Sequence, residues 1–421
     1  MSKSRFPQRN KTTARTQGLK EAIVAVFAAP ERAADCILGF SDADWKSVLW
    51  WLDVSGLAIY FLVQCQESGV EGLLPKWLSE DLTQRLGNNR IRIEALRQEA
   101  CELARQLESS DVRYALLKGI TLAPNSVPDS AFRYQADLDV LAARRNASQA
   151  VQCIREMGYS LHATSGDTLE FRAGEAGVPK MGDMYSVGTL RALELHLLAE
   201  KDEHSSLLGR RERRVFDDTE IAVLSDPDIL VQQANHLVKH LCGEHTRLSW
   251  VLEFRRHIQA RSGDDSYWES AARIAAAEKN GDLAMGMALW VAEEFFGKLP
   301  VEVPWQWSAK ALPPRVLLWL KRYVRTLLMG DALGSKLYAL LRKEIPGSAE
   351  QERSTRKILF PYYLPKPILQ AKPRERLAER MQRYAVEIDF FFRRLQFHVA
   401  EGVRFSIEAS RWRRAAERCG R

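Results

Sequence analysis

Residues 112–141 read VRYALLKGITLAPNSVPDSAFRYQADLDVL, and this stretch sets the expectation for the fold. Val112, Tyr114, Ala115, Leu116 and Leu117 form an apolar, β-prone run that stops at Lys118-Gly119. The stretch closes on Ala136-Asp137-Leu138-Asp139-Val140-Leu141, where carboxylates alternate with aliphatics. A period of two puts Leu138 and Val140 on one face of a strand and Asp137, Asp139 and Leu141 on the other. Such a strand buries its aliphatic face and presents two carboxylates on a polar, exposed one. Hard divalent cations take oxygen ligands and sit between a few carboxylates and substrate phosphates, so the pair is a candidate cation holder. A third element lies downstream in TLRALELHL (189–197), again strand-like, with Glu194 and His196 on one face. Set beside the first acidic strand, it completes a candidate metal triad of Asp137, Asp139 and Glu194.

Taken together, LLKG, then Arg133 ahead of DLDVL, then LELH resembles the uncharacterised bacterial branch of the DNA polymerase β-like nucleotidyltransferase superfamily. The broad pattern of that superfamily is a glycine-containing turn after the first strand, a DxD on the second, and a lone acidic residue on a later one. The resemblance runs from about Ile91 to Ile258, with weaker echoes to about Pro304. It implies an α+β fold: a small mixed-sheet nucleotidyltransferase domain flanked by an N-terminal helical segment and a large C-terminal helical region. The better-known members carry Gly-Ser or Gly-Gly in the turn and a shorter spacer to the DxD. Here the turn is Lys118-Gly119 and the spacer is longer, so individual phosphate contacts do not transfer.

The chain has 421 residues, enough for two to three domains. Charged residues make up 27% of it and the net charge is +7, which fits a globular protein with some bias toward anionic partners. Six cysteines show no CxxC spacing, and reduced thiols in a cytoplasmic protein are expected. No apolar run reaches the roughly 20 residues of a spanning helix. The expected division is a disordered basic tail over 1–18, a helical subdomain over 19–90, the catalytic domain over 91–225 and a helical region over 226–421.

Ser41-Asp42 reads as an N-cap and Gly56 as a helix stop, with apolar residues between them at helical spacing. The segment Arg90–Leu107 carries the stripe Ile93, Leu96, Ala100, Leu103 and Leu107, and leads into the first strand. A helix is expected over 148–159, short strands around 168–172 and 181–187, a last strand at 221–224, and a helix start at Ser225-Asp226-Pro227. The expected sheet has its helices on one side. His236 and His240 stand at i and i+4 with Cys242 and His245 close behind. That spacing suits zinc, a place facing a nucleotide pocket, or ordinary packing. Near the C-terminus Leu377, Met381, Tyr384, Ile388, Phe391, Leu395 and Val399 step by four and three among many arginines. That is either a basic surface for phosphates or a solvated face over a buried stripe.

The chemistry the resemblance implies is transfer of an NMP from an NTP to an acceptor with release of pyrophosphate. Two cations, Mg²⁺ or Mn²⁺, roughly 3.5–4 Å apart serve the attacking and leaving oxygens in such reactions. Asp137 and Asp139 would hold them, with Glu194 as a further ligand or as base. Gly119 would let the backbone approach the triphosphate, while Lys118 and Arg133 would meet its oxygens. His196 is a further pocket residue. The acceptor is open between small molecule, peptide or protein, and RNA, and the choice of NTP is open too. Two other functions fit the same residues: an NTP-binding regulatory protein without turnover, and a helical scaffold binding RNA or an acidic partner.

Overall fold

The computed structural model describes residues 14–174, 184–185, 191–198, 207–302, 304–331, 334–346, 359 and 376–419. Helices come first: α1 (Ala14–Ala28), a short helix at Ala33–Ile37, α2 (Asp42–Ser55), α3 (Ala58–Glu67) and the long α4 (Lys76–Ser109). The first therefore starts inside the stretch expected to be a tail. Ser41 caps α2 through a capping box with Asp44, and Gly56 ends it at φ +75°, as its sequence reads.

The fold is α+β. Strands β1 (Tyr114–Leu117), β2 (Asp137–Ala143), β3 (Ser160–Ser165), β4 (Thr168–Ala173), β5 (Arg191–Leu198), β6 (Glu212–Phe216) and β7 (Thr219–Val223) make one mixed sheet. Their order is β3-β4-β5-β2-β1-β7-β6. Helix α5 (Ala147–Glu156) links β2 to β3. The pair β2–β5 is parallel, as is β1–β7, while β1–β2, β3–β4, β4–β5 and β6–β7 are antiparallel. Strands β3 and β6 were not expected; both are short and largely exposed, so neither carries a strong apolar alternation. The strand expected at 181–187 lies almost wholly outside the described residues.

The sheet is covered on both faces, which corrects the expectation of helices on one side. Leu116, Leu138, Val140, Leu193 and Leu195 share a core with Ile93, Leu96, Ala100, Leu103 and Leu107 of α4 and with Ile154 of α5. On the opposite face Ala115, Leu141 and Ala143 join a second core with α6 (Asp226–Leu241), α7 (Leu248–Ala260), α8 (Asp265–Ala277), α9 (Gly281–Phe296) and α10 (Pro314–Leu328). The physical reason lies in β2 itself. Val140-Leu141-Ala142-Ala143 is apolar at every position and buried throughout, as central strands covered on both sides are.

The N-terminal helices contribute side chains to that second core. Leu19, Ile23, Trp51 and Phe61 cluster with residues of α6 to α10. Trp51 Nε1 donates to Leu328 O at 3.3 Å, and Lys20 Nζ to Met329 O at 2.9 Å. Helix α6 starts as expected, with Ser225 as N-cap and Pro227 in its first turn. No single described helix is long and apolar enough to cross a membrane, and all six cysteines are free.

The last helix, α11 (Leu377–Cys419), departs from expectation. Its stripe from Leu377 to Val399 is exposed, not buried. The helix docks through another flank, where Arg394 Nη2 meets Glu244 Oε2 at 2.6 Å and Ser335 Oγ donates to Glu401 Oε2 at 2.8 Å.

Candidate functional site

The turn after β1 brings two adjacent residues into the left-handed region, Lys118 at φ +51° and Gly119 at φ +52°. Gly119 suits this conformation, and a Cβ would displace the Gln135 amide, lying 2.1 Å from Nε2, which donates to Asp137 O at 2.6 Å. A non-glycine residue at such a φ costs on the order of 1 kcal/mol or more. The strained turn aims the Lys118 ammonium at Asp139 Oδ1, 3.1 Å away.

Parallel pairing of β2 with β5 sets Asp137 beside Ala192, Asp139 beside Glu194 and Leu141 beside His196. The acidic residues point at the helical half, so the face read as exposed and polar is an interior cleft. Asp139 is only 7% exposed. Its Oδ1 also lies 3.0 Å from His196 Nε2, whose ring holds Thr168 Oγ1 at 3.0 Å through Nδ1. Glu194 Oε2 stands 3.5 Å from the same Nε2. One ligand atom each from Asp139, Glu194 and His196 falls within 4.8 Å of the others. Of the expected triad, Asp139 and Glu194 come together with His196, while Asp137 is not part of this converging group.

Electrostatics separate the two aspartates. Burial pushes the Asp137 carboxyl up to about 6, helped by the charges of Asp139 and Glu194 and opposed by Arg133 and Lys118. Burial works on Asp139 as well, but the His196 bond and the Lys118 charge override it and hold that carboxyl down at about 2. Three carboxylates therefore face Lys118, a histidine and Arg133, which is shared with Glu253, so the site is short of positive charge. Oxygen ligands suit Mg²⁺, and an added imidazole nitrogen extends the fit to Mn²⁺.

Arg133 is held differently from expectation. Its Nε donates to Glu253 Oε2 at 3.1 Å, and Tyr60 hydroxyl donates to Glu253 Oε1 at 3.0 Å. This ion pair is buried, so part of the guanidinium serves the junction between sheet and helices. His236 and His240 meet edge-on with ring centroids 4.4 Å apart, and both lie against Trp250, at 4.7 and 4.5 Å. Burial lowers the pKa of both. His240 Nδ1–H donates to His245 O at 3.0 Å. The rings pack edge-on or tilted against each other and the indole, forming an aromatic wall, and among the described residues neither histidine is part of a converging group of metal-ligand atoms. The charges of Lys118 and Arg133 add to the pKa depression of His236.

Arg247 was not anticipated. Its guanidinium lies over Tyr134 at 5.6 Å and over Trp250 at 5.9 Å, with Nε bonded to His245 Nε2 at 3.4 Å. No carboxylate forms an ion pair with it among the described residues. Burial lowers its pKa, and the neighbouring Arg133 adds to that. The signal was present in HLVKHLCGEHTRLSW (236–250), where an arginine and a tryptophan follow the histidines into α7.

Residues 41–297 match the family described as "Uncharacterised nucleotidyltransferase". That span is more than half of the chain, and the chain belongs to this family. Among solved structures, it is similar to an antigenic nucleotidyltransferase-like protein from Paracoccidioides brasiliensis. The match has 13% identity and a TM-score of 0.28, over 45% of this chain and 91% of that one. No curated protein matches the chain.

Proposed function

We propose that this protein is a divalent-cation-dependent nucleotidyltransferase that moves an NMP from an NTP to an acceptor. The observation that carries the reading is the register of β2 against β5, which sets Asp139 beside Glu194 with His196 within ligating distance of both. Asp137, Asp139 and Glu194 would hold Mg²⁺ or Mn²⁺, with His196 Nε2 as a nitrogen ligand. When bound, the cation supplies charge neutralisation at the phosphoryl oxygens. In the transfer, an acceptor oxygen forms a bond to the α-phosphorus and the bond to the bridging oxygen of pyrophosphate breaks. Glu194 takes the acceptor's proton.

The chain's own cations divide the remaining work. Lys118, which pairs with Asp139, would meet the β or γ oxygens of the triphosphate. Arg247 supplies a second guanidinium, one without a carboxylate partner among the described residues, for the triphosphate, and Arg133 orients the cleft through Glu253. The His236–His240–Trp250 wall gives the nucleobase an aromatic face. The neutral state of those histidines keeps the wall from repelling Lys118.

Incubation with each α-labelled NTP and Mg²⁺ or Mn²⁺, alone and with cell extract, tests the reading. Label should pass to an acceptor in a cation-dependent manner, with pyrophosphate released. Cation-dependent NTP binding with no transfer under any condition would make the protein a binder of the same fold.

A further inference from the structure

Helix α11 leaves bare the kind of surface that proteins ordinarily cover. Leu377, Met381, Tyr384, Ile388, Phe391 and Leu395 are between 38% and 73% exposed, and Phe392 and Val399 extend the same strip. Scattered exposed aliphatics are ordinary, but a contiguous strip about 27 Å long at 1.5 Å per residue marks an interaction surface.

The spacing says what kind. Steps of 4, 3, 4, 3 and 4 are the a/d positions of a heptad repeat, the pattern of helix against helix. The same register continues along α11 into Phe405, Trp412 and Ala416, which are buried. There the seam packs inside the chain, with Trp412 and Tyr323 of α10 6.1 Å apart and Tyr323 hydroxyl donating to Glu408 at 3.1 Å. A heptad seam drifts about 20° per repeat around a straight helix. Its C-terminal end therefore turns onto α10 while its N-terminal end turns away from the body.

We infer that this N-terminal half pairs with the same segment of a second copy, antiparallel, making the protein a homodimer. The strip is self-complementary about position 386. Leu377 falls opposite Leu395 of the second copy, Met381 opposite Phe391 and Tyr384 opposite Ile388, so every a position meets a d position, as a two-fold antiparallel pair requires. On the flank, Arg380 of each copy runs alongside Glu387 of the other, and the two opposite charges meet twice. Covering the strip on both copies removes on the order of 1,500 Å², the size of a standard stable interface. The bodies, tied to α11 at Arg394 and Glu401, sit at opposite ends of the pair. A parallel pair would set them side by side at one end. A lipid surface is a poorer occupant: five arginines (376, 380, 383, 393, 394) and four acidic residues (379, 387, 389, 401) nearly balance between 376 and 401, whereas helices lying on anionic membranes are strongly basic.

Sedimentation of the full chain from about 1 to 100 µM tests the inference independently of any transferase activity. The expected mass is twice 47.9 kDa, and Ile388→Glu should raise the dimer dissociation constant at least ~10-fold, about 1.4 kcal/mol, with the melting temperature of the body unchanged. In case that variant misfolds, cysteine pairs read the register directly. Under mild oxidation Leu377→Cys combined with Leu395→Cys should form a cross-linked dimer, and Leu377→Cys alone should not. A 47.9 kDa species throughout the range overturns the inference, including one that instead binds phosphatidylserine vesicles. So does a dimer indifferent to Ile388→Glu, or cross-linking through Leu377→Cys alone.

Discussion

Asp137→Asn should make the metal-free protein more stable and its metal response weaker. Asp137 sits half-buried beside Asp139 and Glu194, and no hydrogen bond or ion pair reaches its carboxylate among the described residues. Its pKa rises from 3.8 to about 6, so the folded chain holds the proton more tightly than the unfolded chain does. Stability is therefore lost as pH rises from 3.8 through about 6. The ionised carboxylate costs the apo fold at most about 3 kcal/mol, and solvent screening at a partly exposed position brings this to about 1–2 kcal/mol. Denaturant unfolding without divalent cations at pH 8 should thus show the variant about 1–2 kcal/mol more stable than wild type. The advantage should shrink to near zero at pH 4. Adding Mg²⁺ at about 100 times its dissociation constant should stabilise wild type by about 2.7 kcal/mol and the variant by much less. A variant less stable than wild type at pH 8 without metal would refute the account of the site as charge-deficient. Equal stabilisation of both proteins by Mg²⁺ would remove Asp137 from the cation site.

Glu194→Gln should leave NTP affinity within several-fold of wild type while label transfer falls by at least ~10², the lower range for one general acid–base group; a lowered melting temperature with intact transfer would make Glu194 structural. Arg247→Ala and Lys118→Ala should each weaken triphosphate binding by roughly 1.5–3 kcal/mol and monophosphate binding far less, as titration calorimetry would show. Gly119→Ala should destabilise the fold by at least ~1–2 kcal/mol, because the added Cβ meets Gln135 at a positive φ; denaturant melts check this. Asp226→Asn should cost about 3–5 kcal/mol. Asp226 accepts from Asn125 at 2.8 Å and Arg261 at 2.7 Å, with Arg214 at 3.4 Å and His257 at 3.5 Å. Burial raises its pKa, but the His257 and Arg261 partners drive it well below the usual carboxylate range. Its contribution is therefore full above pH 3.8 and lost as pH falls toward the folded pKa, so the variant should also lose part of the wild type's acid transition.

Much of the sheet was legible because its inner strands carry short alternating or continuous apolar runs: β2, β5 and β7 fall where DLDVL, LELH and IAVL stand. Side-chain chemistry in these short motifs also pointed to the cleft. What the sequence concealed was the cover over it. Alternation in β2 predicts a solvated acidic face, yet Asp139 is buried, because the covering residues lie a hundred positions away in α6 and α7. The same distance hid the commitment of Arg133 to Glu253, since an ion pair of that separation leaves no local trace. The heptad seam of α11 was visible, but periodicity gives a face without saying what lies against it.

Helix α4 is a single rod of 34 residues that serves two masters. Leu78 and Leu82 lie in the helical core, whereas Ile93 through Leu107 lie in the core under the sheet. Neither core can melt without exposing one end of a helix that the other still grips, and a long helix stripped of its packing is marginal in water. The two cores should therefore lose structure in one step. A protein with two interiors would then show one calorimetric transition, with its van't Hoff enthalpy equal to the measured one.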